Sequence, residues 1–285
     1  MMEGSLTARA VKKIAHDKLA LASLAIIVIY CIIALGASFN LIAVNHARTA
    51  GPEYTPPCGQ FLFGTDFLGR DVLQRVVHGT KIAMSVGLFT TLIAVPIGIF
   101  FGALAGYYRR RVDEIIVWFY STLDSIPNLL LLLALTLILG KGLTAVYIAL
   151  GLTSWVGICR IVRAEFIKQK EMDYVQSARA LGAGNVRIMV LHILPNVFHL
   201  ILINVSLLFV AAIKFEVILS YLGVGAQGEP SWGVMISDAR LELLGRGVYW
   251  QLLAATLAMF IIILALNIFA DALRDAFDPR VSNKK

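Results

Sequence analysis

Five polar side chains lie inside long apolar stretches of this sequence, where a polar group needs a specific reason to be present. They are Asp124, Asn128, Asn204, Lys214 and Glu216. An ionisable group in such a stretch is costly and usually faces the interior of a helix bundle or an aqueous path. These residues could therefore line a pathway for a polar solute, and for Asp124 structural packing is an equal alternative.

The spacing of these residues restricts how they act. Lys214 and Glu216 are two positions apart, so they do not face each other on one helix, and each needs its own partner or water. A cap at a helix terminus is the alternative role for Glu216. Pro127 lies three residues after Asp124 and removes a backbone hydrogen bond, which predicts a kink that could serve a gate.

Patterns typical of catalysis are absent from the sequence. Gly140-Lys141 lacks the upstream glycine of a G-x-x-x-x-G-K-[ST] phosphate loop, and no H-E-x-x-H, G-x-S-x-G or paired-cysteine pattern occurs. The three cysteines, Cys31, Cys58 and Cys159, offer no disulfide framework. We therefore expect no enzyme activity, no metal and no cofactor in this chain.

The composition indicates that the elements around these residues are membrane helices. Apolar residues make up 59% and charged residues 15% of the 285, with a mean hydropathy of +0.80. Stretches of about 20 apolar residues span a bilayer as helices, because lipid cannot satisfy an open backbone. The sequence therefore predicts an all-α polytopic membrane protein with six spans: Leu19–Leu41, Ile82–Tyr107, Ile115–Leu139, Leu143–Ile161, Val197–Tyr221 and Val248–Ala270.

The distribution of charge predicts the topology. Most of the 25 lysines and arginines fall on segments that share one side of these spans, so the net charge of +7 follows the positive-inside rule and indicates a lipid surface rather than nucleic acid. Both termini are then cytoplasmic, and the first span is a retained anchor because it exceeds a signal core. The predicted parts are a cytoplasmic segment 1–18, a first span 19–41, an extracytoplasmic segment 42–81, a five-helix core 82–272 with a cytoplasmic loop 162–196 and an extracytoplasmic loop 222–247, and a cytoplasmic tail 273–285.

The polar loop at 174–196 has the pattern of two short amphipathic helices. Tyr174, Ala178 and Leu181 form one narrow apolar face, and Gly182 and Gly184 permit a tight turn. A second helix, capped by Asn185 and ended by Pro195, has a face made of Val186, Met189, Val190 and Ile193. Such a loop either docks a soluble protein or lies on the lipid surface. Its small apolar faces and its glycines favour the protein partner.

This loop resembles the "EAA" loop of binding-protein-dependent ABC transporter permeases, which contacts the ATPase subunits. Gln176-Ser177-Ala178, Gly182 and Leu194-Pro195 occupy the motif positions, with Gln for Glu, Ser for the first Ala, and His192 where the general pattern has Ile. The ending His192–Asn196 is similar to the His-Ile-Leu-Pro-Asn ending of this loop in the peptide-transport branch of these permeases. The residues that the resemblance assigns to ATPase coupling are Tyr174, Gln176, Ser177, Ala178, Leu181, Gly182, Ala183, Leu194 and Pro195.

Three further segments are similar to the dipeptide, oligopeptide and nickel group of these permeases. Phe63–Leu73 resembles a Gly-Thr-Asp-x-x-Gly-Arg-Asp-Val-Leu signature, and Thr65 or Asp66 is expected to cap the helix that follows it. Glu216–Gly233 resembles a Leu-Gly-x-Gly…Pro-x-Trp-Gly region and is expected to form a short re-entrant or surface segment. Asn267–Arg280 resembles the family's Asn-x-x-x-Asp-x-Leu-Arg-Asp-x-x-Asp-Pro ending.

The resemblance implies the permease subunit of an ATP-driven importer in the bacterial inner membrane. It implies a heterodimer with a sister permease, two cytoplasmic ATPase subunits that bind ATP and Mg, and an extracytoplasmic solute-binding protein. The substrate would be a di- or oligopeptide, for which Asn204, Lys214 or Glu216 could supply polar contacts, with Asp124, Pro127 and Asn128 as further pathway or gate residues. The alternative is a self-contained secondary transporter or channel, in which these polar residues would bind a coupling ion.

Overall fold

A computed structural model describes residues 13–277, over which the chain is built from helices. Two isolated bridges, Thr49–Arg70 and Thr65–Asp71, are the β-type pairings of the described residues. Residues 1–12 of the predicted N-terminal segment 1–18 and residues 278–285 of the predicted tail 273–285, including Asp278-Pro279-Arg280 of the tail motif, lie outside that range. The helices are α1 Lys18–Ser38, α2 Val72–Tyr108, α3 Arg110–Asp124, α4 Asn128–Ile138, α5 Leu143–Gln169, α6 Asp173–Ala180, α7 Asn185–Arg187, a π-helix Ile188–Ile193, α8 Leu194–Tyr221, α9 Trp232–Arg246 and α10 Trp250–Phe277.

Five of these helices, counting α7 to α8 as one, are long and apolar enough to cross a membrane, and the bent pair α3–α4 makes six if it is one span. The predicted all-α polytopic fold is therefore confirmed. The second span is longer than expected, because α2 begins at Val72, where the side chain of Asp71 caps it by accepting from the Leu73 amide. Asp71, rather than Thr65 or Asp66, is thus the cap.

The third span is broken rather than continuous. Helices α3 and α4 meet at 87° across Ser125–Pro127, and Pro127 is the residue before the first turn of α4. Proline cannot continue the hydrogen-bond ladder, and it disfavours helical geometry in the residue before it. The kink predicted at Pro127 is confirmed, and it divides the predicted span Ile115–Leu139 between two helices.

A stripe of glycines on α2 allows its close packing on α5. Gly98, Gly102 and Gly106 recur every four residues and so share one face of the helix. A Cβ at these positions would lie 2.8, 2.7 and 2.6 Å from the backbone carbonyl oxygens of Trp155, Cys159 and Arg163 on α5. Only glycine permits this backbone approach, which is a common way to pack membrane helices.

The helix bundle has two ends that differ in construction. One end carries the non-helical residues 42–71 together with α9, and we call it the 42–71 end. The other end carries the turn between α5 and α6, α6 itself, α7 and the π-helix, and we call it the 170–193 end. Helices α2 and α8 run between the two ends, α2 from Val72 to Tyr108 and α8 from Leu194 to Tyr221.

Candidate coupling site and intramembrane polar residues

Helix α6 packs on the bundle through the side chains of Val175 and Ala178. Val175 is fully buried and Ala178 is 9% exposed. Val175 belongs to a core cluster with Phe166 of α5 and Ile188 and Ile193 of the π-helix. The predicted face of Tyr174, Ala178 and Leu181 is therefore only partly the packing face, because Tyr174 is 37% and Leu181 is 88% exposed.

The turn after α6 depends on Gly182. Its φ of +84° lies in the left-handed region that favours glycine, although a Cβ there would meet nothing within 4 Å. The Gly182 and Ala183 amides donate to the carbonyls of Arg179 and Ala178, which closes the helix terminus. The predicted tight turn is thus confirmed, and its requirement for glycine is conformational.

The segment after the turn differs from the predicted capped helix. The Asn185 side chain makes no cap hydrogen bond, and its Oδ1 instead accepts from the Tyr107 hydroxyl at 2.8 Å. The buried residues of the π-helix are Ile188, Met189 and Ile193, whereas Val186 and Val190 are exposed. The Asn185 side chain therefore attaches this segment to the end of α2 rather than capping the helix that begins at Asn185.

Pro195 does not end the second helix as predicted. It lies in the first turn of α8, where proline is tolerated, and the chain from Asn185 to Tyr221 is one helical rod. Pro195 has no N–H to donate to the carbonyl of Leu191, and the six residues before Leu194 are wound as a π-helix, in which Leu194 donates to Met189. Pro195 therefore marks the change from π-helical to α-helical winding rather than the end of the helix.

A notch of about 470 Å³ opens between α6 and the π-helix, and we call it the 174–192 notch. Its lining residues are Tyr174, Ser177, Ala178, Leu181, Gly182, Ala183, Arg187 and His192. Six of the predicted coupling residues therefore line the same notch. Among them, the Leu181 side chain is 88% exposed. Arg187 and His192 are further lining residues that the predicted set of coupling residues left out.

The remaining predicted coupling residues lie beside the notch. The Gln176 amide donates to the Lys170 carbonyl at 3.1 Å, which holds the start of α6 against the end of α5. Leu194 and Pro195 begin α8. The Tyr174 hydroxyl donates to Gln169 at 3.0 Å, and partial burial raises the pKa of Tyr174.

Charged contacts attach α5 and the turn before α6 to neighbouring helices. The Lys170 ammonium donates to the Tyr107 carbonyl at 2.7 Å and lies over the Tyr107 ring, and burial lowers the pKa of Lys170. Arg163 of α5 makes a two-pronged pair with Asp113 of α3, with Nη2 at 2.7 Å from Oδ2. Such planar pairs fix geometry as well as charge. These contacts therefore join α5 and the turn that follows it to α2 and α3.

The intramembrane polar residues do not converge on one site. Asp124 pairs with Arg160 of α5 at 2.6 Å and both side chains are about half exposed. Asn128 begins α4 after Pro127 and is exposed. The Asn204 amide donates to the Leu200 carbonyl of its own helix at 2.8 Å, and Lys214 is exposed.

Glu216 makes a structural contact near the end of α8, although it does not itself cap the helix as its alternative role predicted. It is 1% exposed, and its Oε1 accepts from the Ser220 hydroxyl at 2.6 Å. The Ser220 oxygen in turn accepts from the Ala226 amide at 2.9 Å. Glu216 therefore holds the turn that follows α8, and it points away from the surface on which Lys214 lies, as the spacing predicted.

Comparison with known proteins identifies the family. The sequence profile of the binding-protein-dependent transport system inner membrane component matches residues 98–283. The chain is 34% identical over 278 residues to the dipeptide transport system permease protein DppC of Bacillus subtilis (strain 168), covering 97% of this chain and 87% of that protein. It is also 34% identical over 281 residues to the oligopeptide transport system permease protein OppC of the same organism, covering 97% and 90%.

Two solved structures have the same fold. An amino acid ABC transporter crystallised with histidines matches with a TM-score of 0.54 and 18% identity, over 70% of this chain and 92% of that chain. The MetNI methionine ABC transporter in an inward-facing form matches with a TM-score of 0.53 and 18% identity, over 72% and 95%. The chain belongs to the family of binding-protein-dependent transport system inner membrane components. It is a permease subunit, as the sequence motifs predicted.

Proposed function

We propose that this chain forms half of the translocation pathway of an ATP-driven importer and that the 174–192 notch receives an ATPase subunit. The observation that carries the proposal is the exposure of Leu181 beside a notch lined by Ala178 and Gly182. The small residues Ala178 and Gly182 next to the exposed Leu181 leave room for an apolar side chain of a partner. Arg187 and His192 supply polar contacts at the edge of the notch.

The contacts of the notch support a mechanical role in transport. Val175 and Ile188 are fully buried in one cluster, and the Tyr107–Asn185 hydrogen bond joins it to α2. The π-helix continues directly into α8. A displacement of the notch by an ATPase that closes on ATP would therefore move α2 and α8 as packed rods, which is the rigid-body motion that alternating access requires.

The proposed assembly follows the family. The 170–193 end faces the cytoplasm, as do both termini, and the 42–71 end faces outward toward a solute-binding protein. A sister permease completes the pathway as a heterodimer, and two ATPase subunits bind ATP and Mg. The basic residues near the 170–193 end, such as Arg109, Arg179 and Arg187, support this orientation by the positive-inside rule.

The proposed substrate is a di- or oligopeptide, because two curated relatives that are 34% identical to this chain are named as dipeptide and oligopeptide transport system permease proteins. Among the predicted pathway residues, the exposed Lys214 and Asn128 are the better candidates for peptide contact. Glu216 is buried and accepts a hydrogen bond from Ser220 near the end of α8, and Asp124 pairs with Arg160. We therefore assign both residues to the support of the pathway helices. Asn204 bonds within its helix, and Pro127 supplies the break at which a gate could bend.

The docking proposal is tested by Leu181→Asp. This side chain is 88% exposed, so the change leaves the fold intact while it places a charge at the notch. We expect the affinity-purified variant to lose the ATPase subunits that the wild-type chain retains. The matched control is Leu244→Asp, an 80% exposed leucine at the 42–71 end, which should retain them.

Two results would contradict the proposal. Equal retention of an ATPase by Leu181→Asp and wild type would show that the notch is not the docking site. Transport by the purified chain alone, without any ATPase, would instead support the secondary transporter.

A further inference from the structure

A buried ion cluster joins the non-helical residues 64–71 to the rest of the 42–71 end. Its centre is Asp66, which has no exposed surface. One carboxylate oxygen accepts from the amides of Leu68 and Arg70 at 2.9 and 2.8 Å. The other accepts from the Arg70 Nε at 2.7 Å and the Arg75 Nη1 at 2.9 Å. Asp66 is therefore fully hydrogen-bonded as an ionised group.

Two contacts extend the cluster to α9. Arg75, at the start of α2, also donates to Asp238 at 3.3 Å. Glu242, one turn further along α9, accepts from the Phe67 amide through Oε1 at 3.1 Å. Residues 64–71, α2 and α9 thus meet at one group of charged side chains.

Glu242 is the member of the cluster whose charge is not balanced. It is 4% exposed, and its Oε2 has no hydrogen-bond partner among the described residues. The two carboxylates of Asp66 and Asp238 already balance the two guanidiniums of Arg70 and Arg75. An ionised Glu242 would add a third negative charge in a buried place, which is costly. Burial accordingly raises the pKa of Glu242 to about 7.

We propose that Glu242 is a proton-binding site whose protonation controls how firmly residues 64–71 are attached to α9. With the proton bound, the cluster is neutral and Glu242 keeps its contact with the Phe67 amide. When the proton leaves, the new carboxylate is repelled by Asp66 from residues 64–71 and by Asp238 from its own helix. Arg75 from α2 is the attracting charge, and it is already shared between those two carboxylates.

The charges around Glu242 predict how each neighbour shifts the transition. Asp66 and Asp238 raise the pKa of Glu242, and Arg75 lowers it, while the Phe67 amide stabilises the ionised form. Burial also raises the pKa of Asp238. Because the Asp238 carboxylate repels a negative charge on Glu242, removal of the Asp238 charge should make Glu242 ionise at lower pH. This behaviour does not depend on which solute the transporter carries.

The test is a distance measurement across the cluster. In the full chain, purified with the subunits that it retains, Leu68→Cys and Leu244→Cys are introduced at exposed positions together with Cys58→Ser, and the two cysteines receive spin labels that do not enter the membrane. We expect one narrow distance distribution about one pH unit below 7 and a broad one about one unit above it. The midpoint reports the loss of the Glu242 proton.

Two variants and a control make the test decisive. Glu242→Gln should keep the narrow distribution at both pH values, because the amide copies the neutral acid. Asp238→Asn should move the midpoint to lower pH, and it tests the same proposal if Glu242→Gln does not fold. Glu53→Gln, at an exposed position, should match the wild type. Equal broadening in Glu242→Gln and wild type, or a midpoint unmoved by Asp238→Asn, would overturn the proposal.

Discussion

At the scale of single residues, the sequence predicted which polar groups need partners but not where those partners are. Glu216 finds its partner four positions later in Ser220, and this i,i+4 spacing was a signal that the sequence contained. Asp124 finds Arg160 on another helix, and no local spacing could have shown that. Arg75 and Glu242 escaped sequence reasoning altogether, because their link depends on how residues 64–71 fold over α9.

The residue that tests the packing of α2 on α5 most directly is Gly102. A Cβ at this position would lie 2.7 Å from the Cys159 carbonyl oxygen, so Gly102→Ala must separate the two helices. We expect a loss of about 1–3 kcal/mol of stability, the usual cost of overpacking, seen as a lower Tm of the purified chain.

The matched control for that change is Gly157→Ala on α5. A Cβ at Gly157 meets nothing within 4 Å, so the change should be neutral or stabilise the helix by about 0.4–1 kcal/mol. A Gly102→Ala variant as stable as Gly157→Ala would show that the helices do not approach as closely as described.

At the scale of elements, the sequence predicted where the membrane helices lie, but not where they bend or change their winding. The apolar runs predicted the spans because a membrane helix needs length and apolar surface and little else. The 87° bend at Ser125–Pro127 and the π-helix before Pro195 depend on packing around each proline. The same residue type breaks one span and starts another, which local sequence cannot distinguish. Six of the eight residues that line the notch were predicted from the sequence, but the division between buried Val175 and exposed Leu181 was not.

The π-helix gives a prediction at this scale. Pro195→Ala supplies an N–H that can bond to the Leu191 carbonyl and so favours α-winding over Ile188–Ile193. Rewinding would rotate the notch relative to α8, since each residue of an α-helix turns the chain by about 100°. If the proposed docking holds, we expect the variant to retain the proposed ATPase subunits, and the assembled transporter to hydrolyse ATP several-fold more slowly.

A proline elsewhere in the bundle provides the comparison for that experiment. Pro96 lies inside α2 and is exposed, so Pro96→Ala changes a helical proline away from the notch. It should leave ATP hydrolysis near the wild-type rate. If the transporter assembled with Pro195→Ala also hydrolysed ATP at that rate, the π-helix would have no part in the proposed coupling.

At the scale of the whole molecule, α2 runs from the ion cluster to the 170–193 end, and α8 runs from the π-helix to the turn held by Glu216. Helix α2 carries Arg75 of the cluster in its first turn and ends at Tyr108, next to Tyr107, which holds Asn185 and Lys170. Helix α8 starts at the π-helix and ends at the turn held by Glu216. Because packed helices move as units, a change at one end of α2 is mechanically linked to the other end.

The stability of the whole molecule should therefore carry the pH dependence of Glu242. Burial raises its pKa from 4.5 to about 7 in the folded chain, so between these values the folded chain holds a proton that the unfolded chain has released. The free energy of unfolding must then fall as pH rises through this window and level off above about 7. Thermal unfolding of the wild type and Glu242→Gln across the window measures this, because the variant lacks the titrating group and its Tm should fall less. A Tm difference between the two proteins that stays constant with pH would mean that Glu242 remains ionised throughout and that the buried cluster carries its third negative charge at every pH.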